Sequence, residues 1–296
     1  MQFTEYYSDI LKQRPQRLRG RVRRIALAGF ALIDHLQGID DILSKPRIQF
    51  IYLHHLFKDE EEKLKTLLQN LQRHHTFISY SDAVSKVLNA KIDKPYICFS
   101  LDDGFRNNLQ AATILDAFGA KACIFINPGL VGETDILRIA DHCKRRLHFP
   151  PVEFLNWNEI NQLQRMGHEI GSHTMHHMNI GQTDLREVEE DMNTTFETIT
   201  RHCGSVKHFA FPYGRFQHFT DAARKVCFRT GYVSCATAER GCHVNHGRTM
   251  TPQELYIRRD HVILNWNISH VLHFLVRNAR NAHHNGNLYP GNWESK

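Results

Sequence analysis

YICFSLDDGFRNN, residues 96–108, runs from an apolar stretch straight into two adjacent carboxylates, Asp102 and Asp103, with Gly104 behind them. Apolar and aromatic residues closed off by Asp and Gly read as a buried strand ending in a turn. Aspartate before glycine is an ordinary turn signal, yet two like charges at the end of an apolar run ask for a counter-charge. A bound cation supplies one: it takes one carboxylate as a ligand, and its field keeps the neighbour ionised and free to accept a proton. The spacing alone leaves open which aspartate does which.

On either side lie further short apolar runs, IQFIYLH (48–54), ACIFIN (122–127), HEIGSH (168–173), KHFAFPYG (207–214), YVSCA (232–236) and LYIRRDHV (255–262). Helical patterns separate several of them: EEEKLKTLLQNLQRH, NNLQAATILDAFG, NEINQLQRMG and DLREVEEDMNTTFETITRHC. Strand and helix in alternation predict a mainly parallel sheet with helices outside, either a barrel or a doubly wound sheet. In both, function collects beyond the carboxyl ends of the strands, where SLDDG and GSHTMHH fall. With 296 residues, 42% of them hydrophobic and 23% charged, the chain can bury one large core. No repeat or low-complexity linker interrupts it, so a single catalytic domain over 47–275 is expected, behind an N-terminal extension (1–46) and ahead of a tail (276–296).

The remaining ligands for a cation would be histidines. GHEIGSHTMHHMNI (167–180) places His173 and His177 four residues apart, but 21 histidines in a chain of this length give about one or two such pairs by chance. His168-Glu169 fails as a zincin motif, because its second histidine would stand where Ser172 is.

The wording is more specific than the spacing. GHEIGSHTxxH, a preceding DDG and a later FAFPYG, in that order, resemble the polysaccharide deacetylase family, also called the NodB homology domain or family 4 carbohydrate esterases. The resemblance spans about residues 48–262. It implies a distorted (β/α) barrel, an α/β fold, here with an N-terminal helical extension. It implies a hydrolase acting on the linear amide bonds of N-acetylated amino sugars, with a divalent metal on Asp103, His173 and His177 and with Asp102 as catalytic base. Zinc is the expected ion, and cobalt, nickel, iron and manganese suit the same ligands. Three protein ligands leave a position open for a water acidified toward neutral pH. In FAFPYG (209–214) the resemblance gives the Tyr213 N–H a share in binding the developing oxyanion, apt for a donor fixed in a stiff Pro-Tyr-Gly turn.

Two departures from the family pattern matter. The arginine that orients the catalytic aspartate is replaced by Ala210, and Arg258 or Arg259 in YIRRDHV is the candidate substitute. The usual C-terminal histidine segment is absent. A subgroup acting on poly-N-acetylglucosamine instead opens with an apolar strand ending in a histidine, and FIYLHHLFKDEEEKLKTLLQNLQRHHTFISYSDAV resembles that opening. His54 then aligns with the general acid, His55 points the other way along the strand, and His261 is the reserve. Imidazole suits the duty. The pairs His243/His246, His270/His273 and His283/His284 lack carboxylate partners in recognisable motifs and are expected on the surface or in loops.

The net charge of +6 gathers largely in Lys12–Arg24, KQRPQRLRGRVRR, followed by the apolar IALAGFALI (25–33). Nine apolar residues are too few to span a bilayer, and no small-residue cleavage site follows, so a packed amphipathic helix is expected, with peripheral contact to an anionic membrane surface as the alternative. The basic run has no interleaved aromatics, which argues against nucleic acid. Seven cysteines without CxxC spacing argue against disulfides or a zinc ribbon and fit a reducing cytoplasm. The function expected is therefore a cytoplasmic or inner-membrane-surface deacetylase of an N-acetylated amino sugar in an oligosaccharide, polysaccharide or glycolipid precursor. The alternatives are a deformylase or deacylase of a lipid-linked amino sugar, and a non-catalytic carbohydrate-binding protein on the same scaffold.

Overall fold

The computed structural model describes residues 2–13, 27, 29–30, 33 and 38–282. Most of the basic run and of the apolar stretch after it, His283, His284 and the rest of the tail lie outside the described residues. Eight strands form one parallel sheet: β1 (Arg47–Leu53), β2 (Thr76–Phe77), β3 (Pro95–Leu101), β4 (Ala122–Ile126), β5 (Glu169–Ser172), β6 (His208–Ala210), β7 (Ser234–Ala236) and β8 (Arg259–His261). Their order is β7-β6-β5-β4-β3-β1-β8, with β2 beside the start of β3. The two ends nearly meet, because Ala236 of β7 bridges in parallel to Ile257, just ahead of β8. The result is a nearly closed barrel with helices outside.

Alternation along each strand sorts its side chains between two cores. On β3, Ile97, Phe99 and Leu101 join Leu64, Leu68, Leu115 and Leu163 in the cluster between sheet and outer helices. Tyr96 and Cys98 face inward with Ile48, Phe50, Cys123, Phe125, Ala210, Ala236 and Ile257. Cysteine serves here as a small buried hydrophobe. The helix Tyr80–Leu88, capped by Ser79, supplies Tyr80, Val84 and Val87 to this inner cluster and plugs the amino end of the barrel. Glycine is required at Gly171 on β5, where a Cβ would lie 2.4 Å from the Phe125 ring and 3.0 Å from the Cys123 sulfur.

The same period of two places the chemistry. Continuing the inward set on each strand leads from Tyr96 and Cys98 to Ser100 and Asp102, from Gly171 to His173, from Phe50 and Tyr52 to His54, and from Ile257 to Arg259 and His261. All end at the carboxyl mouth of the barrel. Asp102 still belongs to the sheet's hydrogen bonding, its N–H donating to the Leu53 carbonyl at 2.9 Å.

Two of the histidines expected outside are interior. His243 is fully buried, its ring edge-on to Phe50, and its Nε2 accepts from the Arg258 N–H at 3.1 Å. His270 is 6% exposed on the helix Ile268–Arg280. His243 sits in a loop, bridged to Ile48 of β1, and no local pattern in the sequence marks either histidine as buried. No helix among the described residues is long and apolar enough to cross a membrane.

Candidate metal centre and catalytic cavity

Asp103, His173 and His177 converge at the barrel mouth, all buried, their ligand atoms within 4.8 Å of one another. The Asp103 Oδ1 lies 3.5 Å from Nε2 of His173 and 3.6 Å from Nε2 of His177. The His173 Nδ1–H donates to the Ala210 carbonyl at 2.6 Å, which turns the Nε2 lone pair toward Asp103. Burial pushes the His173 imidazole down to about 4 and His177 well below its ordinary value, so both are neutral bases near pH 7. Burial, together with the Asp102 charge, raises the Asp103 carboxyl well above its ordinary range. The Asp103 Oδ1 has no hydrogen-bond donor although it is fully enclosed. Two neutral imidazole nitrogens converging with an orphaned buried oxygen fit a divalent cation of the kind bound by nitrogen and oxygen ligands.

The backbone is bent to make this arrangement. Asp103 (φ 73°), Thr174 (φ 63°), His177 (φ 55°) and Tyr213 (φ 62°) all occupy the left-handed region, together with Gly104 and Gly214. Non-glycine residues there cost energy and gather where function holds them. The turn carrying His173 and His177 is pinned by the Asp191 carboxylate, which accepts from the Met175 N–H at 3.1 and 3.2 Å, and by the Thr174 hydroxyl, which accepts from Met178 N–H at 2.8 Å. Asn127, at the end of β4, donates its amide to the carbonyls of His173 and Thr174.

Asp102 has a different partner. Arg259 grips it in a two-pronged pair, Nη1 to Oδ1 at 2.7 Å and Nη2 to Oδ2 at 2.9 Å. The guanidinium also donates to Ser100 Oγ and to the Thr237 carbonyl, and lies 4.4 Å from the centre of the Tyr52 ring. Arg259 is 1% exposed and Asp102 3%. Burial alone would raise the Asp102 carboxyl, but Arg259, aided by His173, holds it below its usual range. Of the two arginine candidates, then, Arg259 meets the carboxylate, while Arg258 lies over the Phe216 ring. The choice follows from strand alternation, which turns Arg259 inward with Ile257 and His261.

Tyr213 stands over His177, ring centres 4.8 Å apart, and its hydroxyl donates to the Arg146 carbonyl at 3.2 Å. The turn beneath is locked by Ala238, whose N–H donates to the Gly214 carbonyl at 2.7 Å and whose Cβ would lie 2.4 Å from a Cβ at Gly214. His54 and His261 face one another edge-on at 4.9 Å, with Tyr52 stacked on His261. Burial lowers both imidazoles. His55 takes another direction, between Phe57 and Phe149. Asp102, Asp103, His54, His173, His177, Tyr213, Arg259 and His261 thus line one cavity of about 510 Å³.

Sequence reasoning missed the far wall of that cavity. It is formed by Tyr7, Ile10 and Leu11 of helix α1 (Tyr7–Gln13), by Glu60, and by Arg146–Phe149. The latter stretch begins within a five-residue π-helical turn, Cys143–Leu147, and His148 is left-handed at φ 51°, an irregularity common near functional sites. No local motif marks these residues.

Known proteins agree with this architecture. The polysaccharide deacetylase family's sequence pattern matches residues 89–234. Among solved structures, the deacetylase PplD of Streptococcus pyogenes, determined in complex with acetate, is 16% identical, with a TM-score of 0.60 over 77% of this chain and 98% of that one. IcaB from Ammonifex degensii is 16% identical, with a TM-score of 0.58 over 80% and 98%. A de-N-acetylase from Aggregatibacter actinomycetemcomitans is 15% identical, with a TM-score of 0.60 over 77% and 99%. At these identities the likeness is one of fold. No curated protein sequence matches the chain.

Proposed function

We propose, from a chain that carries the polysaccharide deacetylase pattern over residues 89–234 on the fold shared with solved deacetylases, that this protein is a metal-dependent amidohydrolase removing acetyl groups from an N-acetylated amino sugar. The observation that carries the reading is the pairing of two adjacent aspartates with opposite duties: Asp103 orphaned between two neutral imidazoles, and Asp102 clamped by Arg259.

Asp103, His173 and His177 would hold the cation. When bound, a zinc or similar ion supplies a Lewis acid for the acyl oxygen and makes water acidic enough to ionise near neutral pH. Asp102 accepts the proton of the attacking water. Arg259 fixes both of its oxygens, so the carboxylate stays charged and cannot swing away. The Tyr213 N–H, held in its left-handed turn, donates to the oxyanion that develops on the substrate. His54 gives a proton to the departing nitrogen, with His261 as the alternative donor across the same cleft. The basic run after α1 suits contact with an anionic membrane surface.

The experiment is acetate release from N-acetylglucosamine and its oligomers by protein loaded with one equivalent of divalent ion. Wild type turns over; Asp102→Asn retains the metal and loses turnover by at least about 100-fold. A wild type that binds metal and hydrolyses no acylated sugar would refute the reading.

A further inference from the structure

The cavity has two unlike sides. The strand ends supply Asp102, Asp103 and the histidines; the apolar part of the lining includes Ile10, Leu11, Leu147, Phe149, Ile263 and Leu264. A sugar ring pressed against those apolar side chains would give up hydrogen bonds to water and gain none from them, whereas a hydrocarbon chain would gain from leaving water. The polar groups among them are the Tyr7 hydroxyl, Glu60, whose carboxylate accepts from the Phe57 N–H at 3.3 Å, and Arg146 and His148, which are exposed.

The apolar wall is built, not incidental. Helix α1 is tied down by the Asp59 carboxylate, which accepts from the N–H groups of Tyr7 and Ser8 at 2.8 and 2.9 Å, by the Thr4 N–H donating to the Pro151 carbonyl at 2.9 Å, and by a Lys58–Glu5 ion pair at 2.6 Å. Ile10, 5% exposed, packs into a cluster with Phe57, Phe105, Leu130 and Phe154. Leu11, Leu147, Phe149 and Ile263 are only partly buried, and they leave part of their apolar surface open.

We infer that the substrate carries a hydrocarbon chain close to its scissile amide, and that the chain lies along the wall made by Leu11, Leu147, Phe149 and Ile263. The inference rests on the deacylase reading of the metal centre and narrows its substrate class to an amphiphile. The chain has two chemical sources, the acyl group removed or the aglycone of the sugar.

The test uses metal-loaded full-length protein and two homologous series: N-acyl glucosamines from acetyl to octanoyl, and alkyl N-acetylglucosaminides from methyl to octyl. In one series kcat/KM should rise about three- to fourfold per methylene over several carbons, and the series that rises identifies the source. Calorimetric Kd values for the same compounds should follow the same slope. Leu11→Asn and, independently, Leu147→Asn should flatten both slopes while the folded near-UV spectrum persists; Ile10 is avoided because it belongs to the core. Flat or falling slopes in both series, by rate and by binding, overturn the inference even if acetate is released. Chain-dependent binding without any turnover supports the amphiphile and overturns the deacetylase reading instead.

Discussion

Removing both partners of the Asp102–Arg259 pair should cost clearly less than the sum of removing each alone. Each group is almost wholly enclosed, at 3% and 1% exposure, and the pair is joined by contacts of 2.7 and 2.9 Å. Arg259→Met leaves a carboxylate without its counter-charge and deprives Ser100 Oγ and the Thr237 carbonyl of a donor. Asp102→Asn leaves a buried guanidinium. Breaking a buried pair from one side typically costs about 3–5 kcal/mol, whereas the double variant buries neither charge. Its loss should fall short of the sum by about 2–3 kcal/mol, at the upper end of couplings between contacting residues. Urea unfolding of wild type, both single variants and the double, in chelator at one pH and with equal m-values, measures this directly. Arg258→Met is the control and should show no coupling to Asp102→Asn. A coupling below about 0.5 kcal/mol between Asp102 and Arg259 would refute the argument that strand alternation chose Arg259 as the counter-charge.

Metal at 100 times its Kd should stabilise wild type by about 2.7 kcal/mol, read as a rise in Tm of roughly 5–10 °C, and His177→Ala should abolish the rise; a rise that persists would place the ion elsewhere. Burial, partly offset by the hydrogen bonds from Met175 and Thr195, raises the Asp191 carboxyl to about 6 in the folded state, above about 3.9 in the unfolded chain. Its contribution to stability is therefore full below pH 4 and lost as pH rises through 6. Asp191→Asn should remove that slope and gain about 1–3 kcal/mol on wild type between pH 4 and pH 7.5, and an unaltered difference in Tm across that range would contradict it. Gly171→Ala should cost about 1–3 kcal/mol or more in urea, because the new methyl meets the Phe125 ring and the Cys123 sulfur; a neutral outcome would mean that the inner core is not closely packed.

The sequence by itself determined a great deal. Each apolar run read as a strand contains one, from β1 to β8, and the motif order put the candidate ligands at strand ends. It could do so because alternation is a local property: once SLDD continues β3, Asp102 must share a face with Cys98 and Ser100. The short β2, the helix that plugs the barrel and the burial of His243 and His270 were less legible, since two-residue strands and packed imidazoles carry no periodic signal.

Only the tertiary structure decided what meets those ends. Arg259 lies 157 residues from Asp102 in the chain, and it arrives there because β8 pairs with β1, which pairs with β3. The apolar wall depends in the same way on α1 folding back across the loop at Asp59 and the segment at Pro151. Closure of a barrel is settled by the whole sheet, so partners far apart in sequence are assigned by strand order and not by any stretch of residues read alone.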